Sequence, residues 1–353
     1  MAGPLSNSSP RKFALRSDIT RSDFLGLCKE AGAKPLHADS LFASAYRQNS
    51  TEFSLIPDLP ENLRAHLRRR KTPAYVSLLR RIQSRDGTQK LLLQFPDGNR
   101  VETVLIPAKD RLTLCLSTQA GCAMGCHFCM TSSNGLQRNL TAAEMISQTE
   151  ISQQLTDNKI RNIVLMGMGE PLHNFDEVAR FIFIVTDPQG MALSPRRVTI
   201  STSGLIPGIH RMIDRQLPCN LAISLNATTD EIRNRIMPVN RAYPINKLIQ
   251  ACRLFSNKTG KRLLIEYVLI AGLNDTDADA ERLVALLQGL PCTINLLPFN
   301  ESESIQFRRP DPARVAAFRS TVARAGYVTV VRESRGGDIM AACGQLKAIL
   351  DPK

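Results

Sequence analysis

The chain has 353 residues, 43% hydrophobic and 22% charged, with 45 Lys and Arg against 32 Asp and Glu for a formal net charge of +13. That length and balance suit one large α/β domain with an appendage, and they exclude a fibrous or intrinsically disordered chain. No apolar run reaches membrane-spanning length, residues 1–16 lack the apolar core of a secretory signal, and nine cysteines without scaffold spacing suit a reducing compartment, so a cytoplasmic location away from any membrane is expected.

In chain order, residues 1–16 read as a flexible basic N-terminus. Residues 17–87 read as a small helical accessory domain, with helices expected at 18–31, 36–47 and 60–70 between polar breaks. Between Glu61 and Arg81 stand seven basic residues, Arg64, Arg68, Arg69, Arg70, Lys71, Arg80 and Arg81, against one acidic residue. Most such runs are solvated faces. Here the run agrees in sign with the whole chain, which favours a polyanionic partner, nucleic acid above all. Aromatic residues make up 5% with no Trp, too few for a base-stacking platform.

Strand-like runs 90–95 and 100–107 flank Pro96-Asp97-Gly98-Asn99 and predict a β-hairpin linker over 88–107. The core is expected over 108–335. Apolar strand-like runs at 112–116, 162–166, 197–201, 219–225, 263–270 and 293–298 alternate there with helical patterns at 142–154, 175–186, 206–215, 229–236, 245–257 and 276–288. Six β-then-α units imply a parallel sheet, an open (β/α)6 partial TIM barrel whose site lies at the carboxyl ends of the strands. After a last strand-like run at 328–332, residues 336–353 form a C-terminal loop and tail.

The strongest chemical signal is Cys122-Ala-Met-Gly-Cys126-His-Phe-Cys129. Thiolates spaced by four and three residues can converge on three irons of a cubane from one short loop, leaving the fourth iron open to a small molecule. A structural zinc site is the rival reading, but zinc usually pairs two C-x-x-C knuckles and no second one exists here. Unusual residues gather at the expected strand ends. Cys115 precedes the cysteine loop, and the second strand runs into Gly167-Met168-Gly169-Glu170-Pro171, where glycines let backbone approach a ligand and the carboxylate can hold an ammonium. Ser201, the run Ser224-Leu225-Asn226, and Asn300 end later strands. Each could be a plain helix cap, but together they favour a nucleoside-type ligand. Cys343 stands apart in a glycine-flanked segment, in contrast to Cys28, Cys219, Cys252 and Cys292, which read as inert core thiols.

The cysteine loop is the motif of radical S-adenosylmethionine (SAM) enzymes. With Cys115, Gly-Met-Gly-Glu-Pro-Leu at 167–172, Asn295-Leu-Leu-Pro-Phe-Asn300 and Ala-Ala-Cys343-Gly-Gln-Leu, the chain resembles the RlmN/Cfr family of radical SAM RNA methylases over roughly residues 88–346. The resemblance implies a [4Fe–4S] cluster on Cys122, Cys126 and Cys129, two SAM molecules per turnover, and SAM contacts from Gly169, Glu170, Ser201, Ser224, Leu225, Asn226 and Asn300. It further implies that Cys343 carries a methyl group, that Cys115 resolves a protein–RNA adduct by forming a disulfide with Cys343, and that Glu102 is the proton acceptor. The implied partners are 23S rRNA, some tRNAs and an external flavodoxin-type electron donor, with no oligomer implied. RlmN-like members act on C2 of adenosine-2503 in 23S rRNA and adenosine-37 in tRNA, and Cfr-like members on C8 of the same rRNA base. Ser224–Thr229 and the Met237-Pro-Val-Asn-Arg241 stretch look more RlmN-like. The rival classes are a radical SAM enzyme acting on a non-RNA substrate and a zinc-bearing RNA-binding module.

Overall fold

A computed structural model describes residues 11–14, 19–47, 56–68, 75–109, 111–302 and 305–348. Strand β1 (Arg11–Ala14) is followed by helices α1 (Arg21–Glu30), α2 (Leu36–Tyr46) and α3 (Glu61–Arg68), then by strands β2 (Tyr75–Gln83), β3 (Gln89–Gln94), β4 (Arg100–Ala108) and β5 (Arg111–Cys115). A two-stranded ribbon, β6 (Gln119–Gly121) and β7 (Leu136–Asn139), leads into α4 (Ala142–Gln154), β8 (Ile160–Leu165), α5 (Phe175–Thr186), β9 (Val198–Thr202), α6 (Ile206–Asp214) and β10 (Asn220–Ser224). The chain continues through α7 (Asp230–Ile236), α8 (Ile245–Thr259), β11 (Leu263–Leu269), α9 (Asp277–Leu287), β12 (Cys292–Pro298), α10 (Pro312–Arg324) and β13 (Val328–Val331).

One sheet carries eleven strands in the order β1-β2-β3-β4-β5-β8-β9-β10-β11-β12-β13, with β6 and β7 apart. Pairings from β1 to β5 are antiparallel and those from β5 to β13 parallel. Among the described residues β1 and β13 do not meet, so the barrel is open, as expected. The parallel strands are Leu-, Ile- and Val-rich because helices cover their outer face. Local sequence sets the helix starts. Thr141 with Glu144 and Thr276 with Asp279 form reciprocal capping boxes at α4 and α9, each satisfying two otherwise orphaned amides.

Helices α1 and α2 pack on each other through Phe24, Phe42 and Tyr46. Phe42 packs edge-on to both partners, with centroids 6.4 and 4.9 Å away. Arg180 on α5 pairs with Asp23 on α1 at 2.5 Å.

Four features differ from the sequence reading. Residues 11–14 of the expected flexible N-terminus form β1, which pairs with β2. β2 itself lies inside the stretch expected to be helical, because pairing with β3 overrides the weak strand character of its Ser, Arg and Gln residues. The expected hairpin is therefore the inner part of a four-stranded meander. Helix α10 was not expected, since the Pro- and Arg-rich run before Pro312 obscures its apolar positions Val315, Phe318 and Val322. The basic run divides between α3 and β2, and its Arg69, Arg70 and Lys71 lie outside the described residues, as does the tail beyond residue 348.

Candidate active site

The cysteine loop leaves β6 through Gly121, a residue at φ +77° whose Cβ would stand 1.9 Å from the Gly135 carbonyl oxygen. Only glycine fits that neck, and it lets the Cys122 amide donate to Gly135 O at 2.9 Å. Inside the loop, the Ser132 hydroxyl meets the carbonyls of Cys126 and Cys129 at 2.7 and 2.8 Å. The His127 amide donates to Ile236 O at 3.0 Å, tying the loop to the end of α7.

Cys122, Cys126 and Cys129 line one cavity at the carboxyl ends of the parallel strands, together with Glu170, Ser201, Ser224, Asn226, Asn300 and Cys343. Gly169 lines it too, but the two glycines of this segment answer to packing. A Cβ on Gly167 would lie 2.7 Å from Ser117 Oγ, and one on Gly169 would lie 2.6 Å from Gln119 Cβ. Their freedom serves the neighbouring chain rather than a ligand.

Glu170 is buried. Its carboxylate accepts the Ser203 amide at 2.7 Å and the Leu172 amide at 3.1 Å. Burial pushes its pKa up, and the Ser203, Thr202 and Leu172 donors oppose that rise. The Ser201 and Ser224 hydroxyls stand 3.4 Å apart. Asn226 adopts φ +58°, and its side chain accepts the Val268 amide at 2.9 Å, fixing the exit of β10. Leu225 does not line the cavity. Its side chain is buried and its carbonyl accepts from Arg233.

Two residues here were not singled out in the sequence. Glu266 on β11 lines the cavity in register with Ser224 and Asn295, and Asn295 Nδ2 donates to it at 2.8 Å. Arg233 is fully buried and donates to the carbonyls of Ser203, Ser224 and Leu225 at 2.6, 3.1 and 2.9 Å. A lone Glu within an apolar strand was the one available sign of Glu266. Arg233 gave none, because a helical arginine ordinarily faces water.

Cys115 ends β5, buried, and burial first and the nearby Cys343 second raise its pKa far above that of a free thiol. Cys343 opens to solvent along the cavity, yet the surrounding protein pushes its pKa up to about 11, with Glu266 and Cys129 adding to the rise. All nine cysteines are free, so the expected disulfide between Cys115 and Cys343 is not present.

The segment carrying Cys343 is pinned on every side. Gly344 O accepts the Met130 amide at 2.7 Å, Leu346 O accepts the Thr131 hydroxyl at 2.7 Å, and Cys343 O accepts Asn300 Nδ2 at 3.3 Å. Gly336, at φ +65°, fits where a Cβ would press on Ala341 and Thr88 at 2.9 Å. Asp86 accepts the Gly336 amide at 3.1 Å, and Asp338 accepts from Ser84 Oγ at 2.6 Å.

Glu102 does not line the cavity. Its buried carboxylate accepts the amides of Lys347 and Ala348 at 2.7 and 3.1 Å and pairs with Lys90 at 2.9 Å. It grips the tail just beyond Cys343.

The donor set fits an iron–sulfur cubane. Burial pushes Cys122 up to about 12 and Cys126 well up, with neighbouring thiols adding to both, so a multivalent cation is needed to keep these sulfurs ionised.

A family model described as the radical SAM superfamily matches residues 116–287. The dual-specificity RNA methyltransferase RlmN of Syntrophotalea carbinolica is 46% identical over 320 residues, covering 90% of this chain and 85% of that one. The protein of the same name from Geobacter sulfurreducens is 47% identical over 320 residues, with 91% and 88% covered. A crystal structure of a radical SAM methyltransferase from Sphaerobacter thermophilus matches with a TM-score of 0.85 at 42% identity, covering 94% of this chain and 98% of that one.

Proposed function

This chain belongs to the RlmN family of radical SAM enzymes, and on that premise we propose that it methylates C2 of an adenine in RNA, both in 23S rRNA and in some tRNAs. One observation carries the reading: the three loop cysteines, Glu170 and Cys343 share a single cavity, with the Cys115 thiol close by.

Cys122, Cys126 and Cys129 hold the cluster. Glu170, with the Gly169 backbone, Ser201, Ser224, Asn226 and Asn300, holds the polar ends of SAM. Bound there, a [4Fe–4S] cluster and SAM supply hydrogen-atom abstraction, with two SAM molecules spent per turnover and electrons from an external flavodoxin-type donor. An adenine C2 is too poor a nucleophile to take a methyl group from SAM by polar displacement, which is why a cysteine must carry the methyl group first. Cys343 is that cysteine. Its thiol must lose a proton to act, against the push to about 11. Cys115, next to it and shielded from solvent, is the second thiol that frees the product from the Cys343 sulfur. Glu102, held by Lys90 and two tail amides, positions the Cys343 segment.

Reconstituted enzyme, reductant, SAM and unmethylated ribosomal RNA or tRNA, followed by nucleoside mass spectrometry, tests the reading. The expected product is 2-methyladenosine. A yield of 8-methyladenosine would move the reaction to the other ring carbon, and no methyladenosine at all would overturn RNA methylation.

A further inference from the structure

A second hollow adjoins the cysteine loop, lined by His127, Asn234, Arg235, Arg241, Leu273 and Phe307. His127 contributes to it while its neighbours Cys126 and Phe128 line the cofactor cavity. The wall between the two spaces is thin. Phe307 meets Phe299 edge-on, with centroids 6.0 Å apart, and Phe299 lines the cofactor cavity. Ile236 and Met237 belong to the same small apolar cluster.

The polar lining has one sign. Among the described residues no carboxylate lines the hollow, and Arg235 and Arg241 are exposed and make no ion pair. Asn234 Oδ1 already accepts from Asn240 at 2.9 Å, so its amide N–H groups remain for a ligand. Arg235 sits in the last turn of α7, where a cation suits the helix dipole. The dipole accounts for neither Arg241, in the following turn, nor His127, from a different loop.

We propose that this hollow seats a backbone phosphate of the RNA substrate beside the target nucleotide, with Arg235 and Arg241 as its cationic forks and Asn234 and His127 as further donors. Guanidinium forks match phosphate oxygens, and a base drawn out of its stack needs its flanking backbone held. The site opens to solvent within one loop of the cofactor cavity, which suits a phosphodiester of a bulky polymer. This assignment rests on the RNA reading above.

The test measures affinity for a substrate RNA stem-loop across a salt series, using the reconstituted full chain and an Arg235→Glu/Arg241→Glu double variant. Loss of two phosphate contacts is expected to weaken binding by about tenfold or more at low salt and to flatten the log–log salt slope by roughly 1.4 to 1.8. Formation of 5′-deoxyadenosine from SAM without RNA should match the parent enzyme. The Arg235→Lys/Arg241→Lys pair should keep the parental salt slope, because it retains both charges, while losing part of the affinity with the forked contacts. Parental affinity and slope in the glutamate pair would overturn the assignment. So would equal weakening in the lysine pair with loss of SAM cleavage, which marks collapse of α7. If the parent enzyme bound and methylated no RNA, the RNA reading itself would fall.

Discussion

Cys343 and Glu102 show how little sequence distance says about chemistry. The thiol belongs to the cavity and the carboxylate to the tail that carries it. Cys343→Ala leaves all three loop cysteines untouched, so it should reduce methylation below detection while 5′-deoxyadenosine still forms from SAM. Loss of both activities would mean that Cys343 supports the cavity rather than the methyl group. Glu102→Gln gives a sharper division. The amide oxygen can still accept from Lys347 and Ala348, although Lys90 loses its counter-ion and keeps only the Met340 carbonyl. A residue that only positions the tail should then retain activity within about tenfold, whereas Glu102→Ala, which removes the acceptor of both tail amides, should cost about 1 to 3 kcal/mol and most of the turnover. Abolished turnover in the glutamine variant, with unchanged hydrogen exchange in the tail, would return Glu102 to the expected role of proton acceptor. Cys343 stood out in the sequence because the glycines around it are local. The grip of Glu102 did not, since its partners lie about 245 residues away in the chain.

At the level of elements, the turn between β2 and β3 and the C-terminal segment act as a clasp. Asp86 is the hinge pin. Burial pushes its carboxyl up, but hydrogen bonds from Thr88 and the Gly336 amide outweigh it and hold it at about 2. Asp338 is lowered too, chiefly by Ser84 and the Arg85 amide. A folded-state pKa held below the ordinary aspartate value means that the clasp gains stability above that value and loses it as pH falls toward about 2. The protection factor of the Gly336 amide, its exchange corrected for the intrinsic pH dependence, should therefore be flat through the neutral range and fall only below about pH 4. A loss of protection already between about pH 7 and 5 would show that these carboxylates do not hold the segment. The parallel strands and most core helices were readable because Leu, Ile and Val runs and capping boxes announce them. β2 was not, as its Arg80-Arg81 pair suits a helix face and only pairing with β1 and β3 makes it a strand.

Across the whole molecule, the charge of +13 sits on a chain whose cavity is itself rich in acidic and thiol groups. The excess basic charge therefore belongs outside the reaction space. The 61–81 run was the sequence's candidate for a surface that meets a polyanion, but the fold engages part of it. Arg81 donates to Gln89 and to the Leu155 carbonyl at the end of α4, and Arg64 donates to the Leu59 carbonyl. The hollow beside the cysteine loop draws instead on residues from 127 to 307, which no local run could have revealed. If at least three phosphates are neutralised across such surfaces, affinity for substrate RNA should fall by about fortyfold between about 50 and about 200 mM salt. Uptake of SAM, a small ligand, should change far less over the same range. Measuring both on one preparation separates the two. Parallel loss of RNA and SAM would point to salt acting on the cavity, and a flat RNA curve would leave the basic charge without a nucleic-acid role.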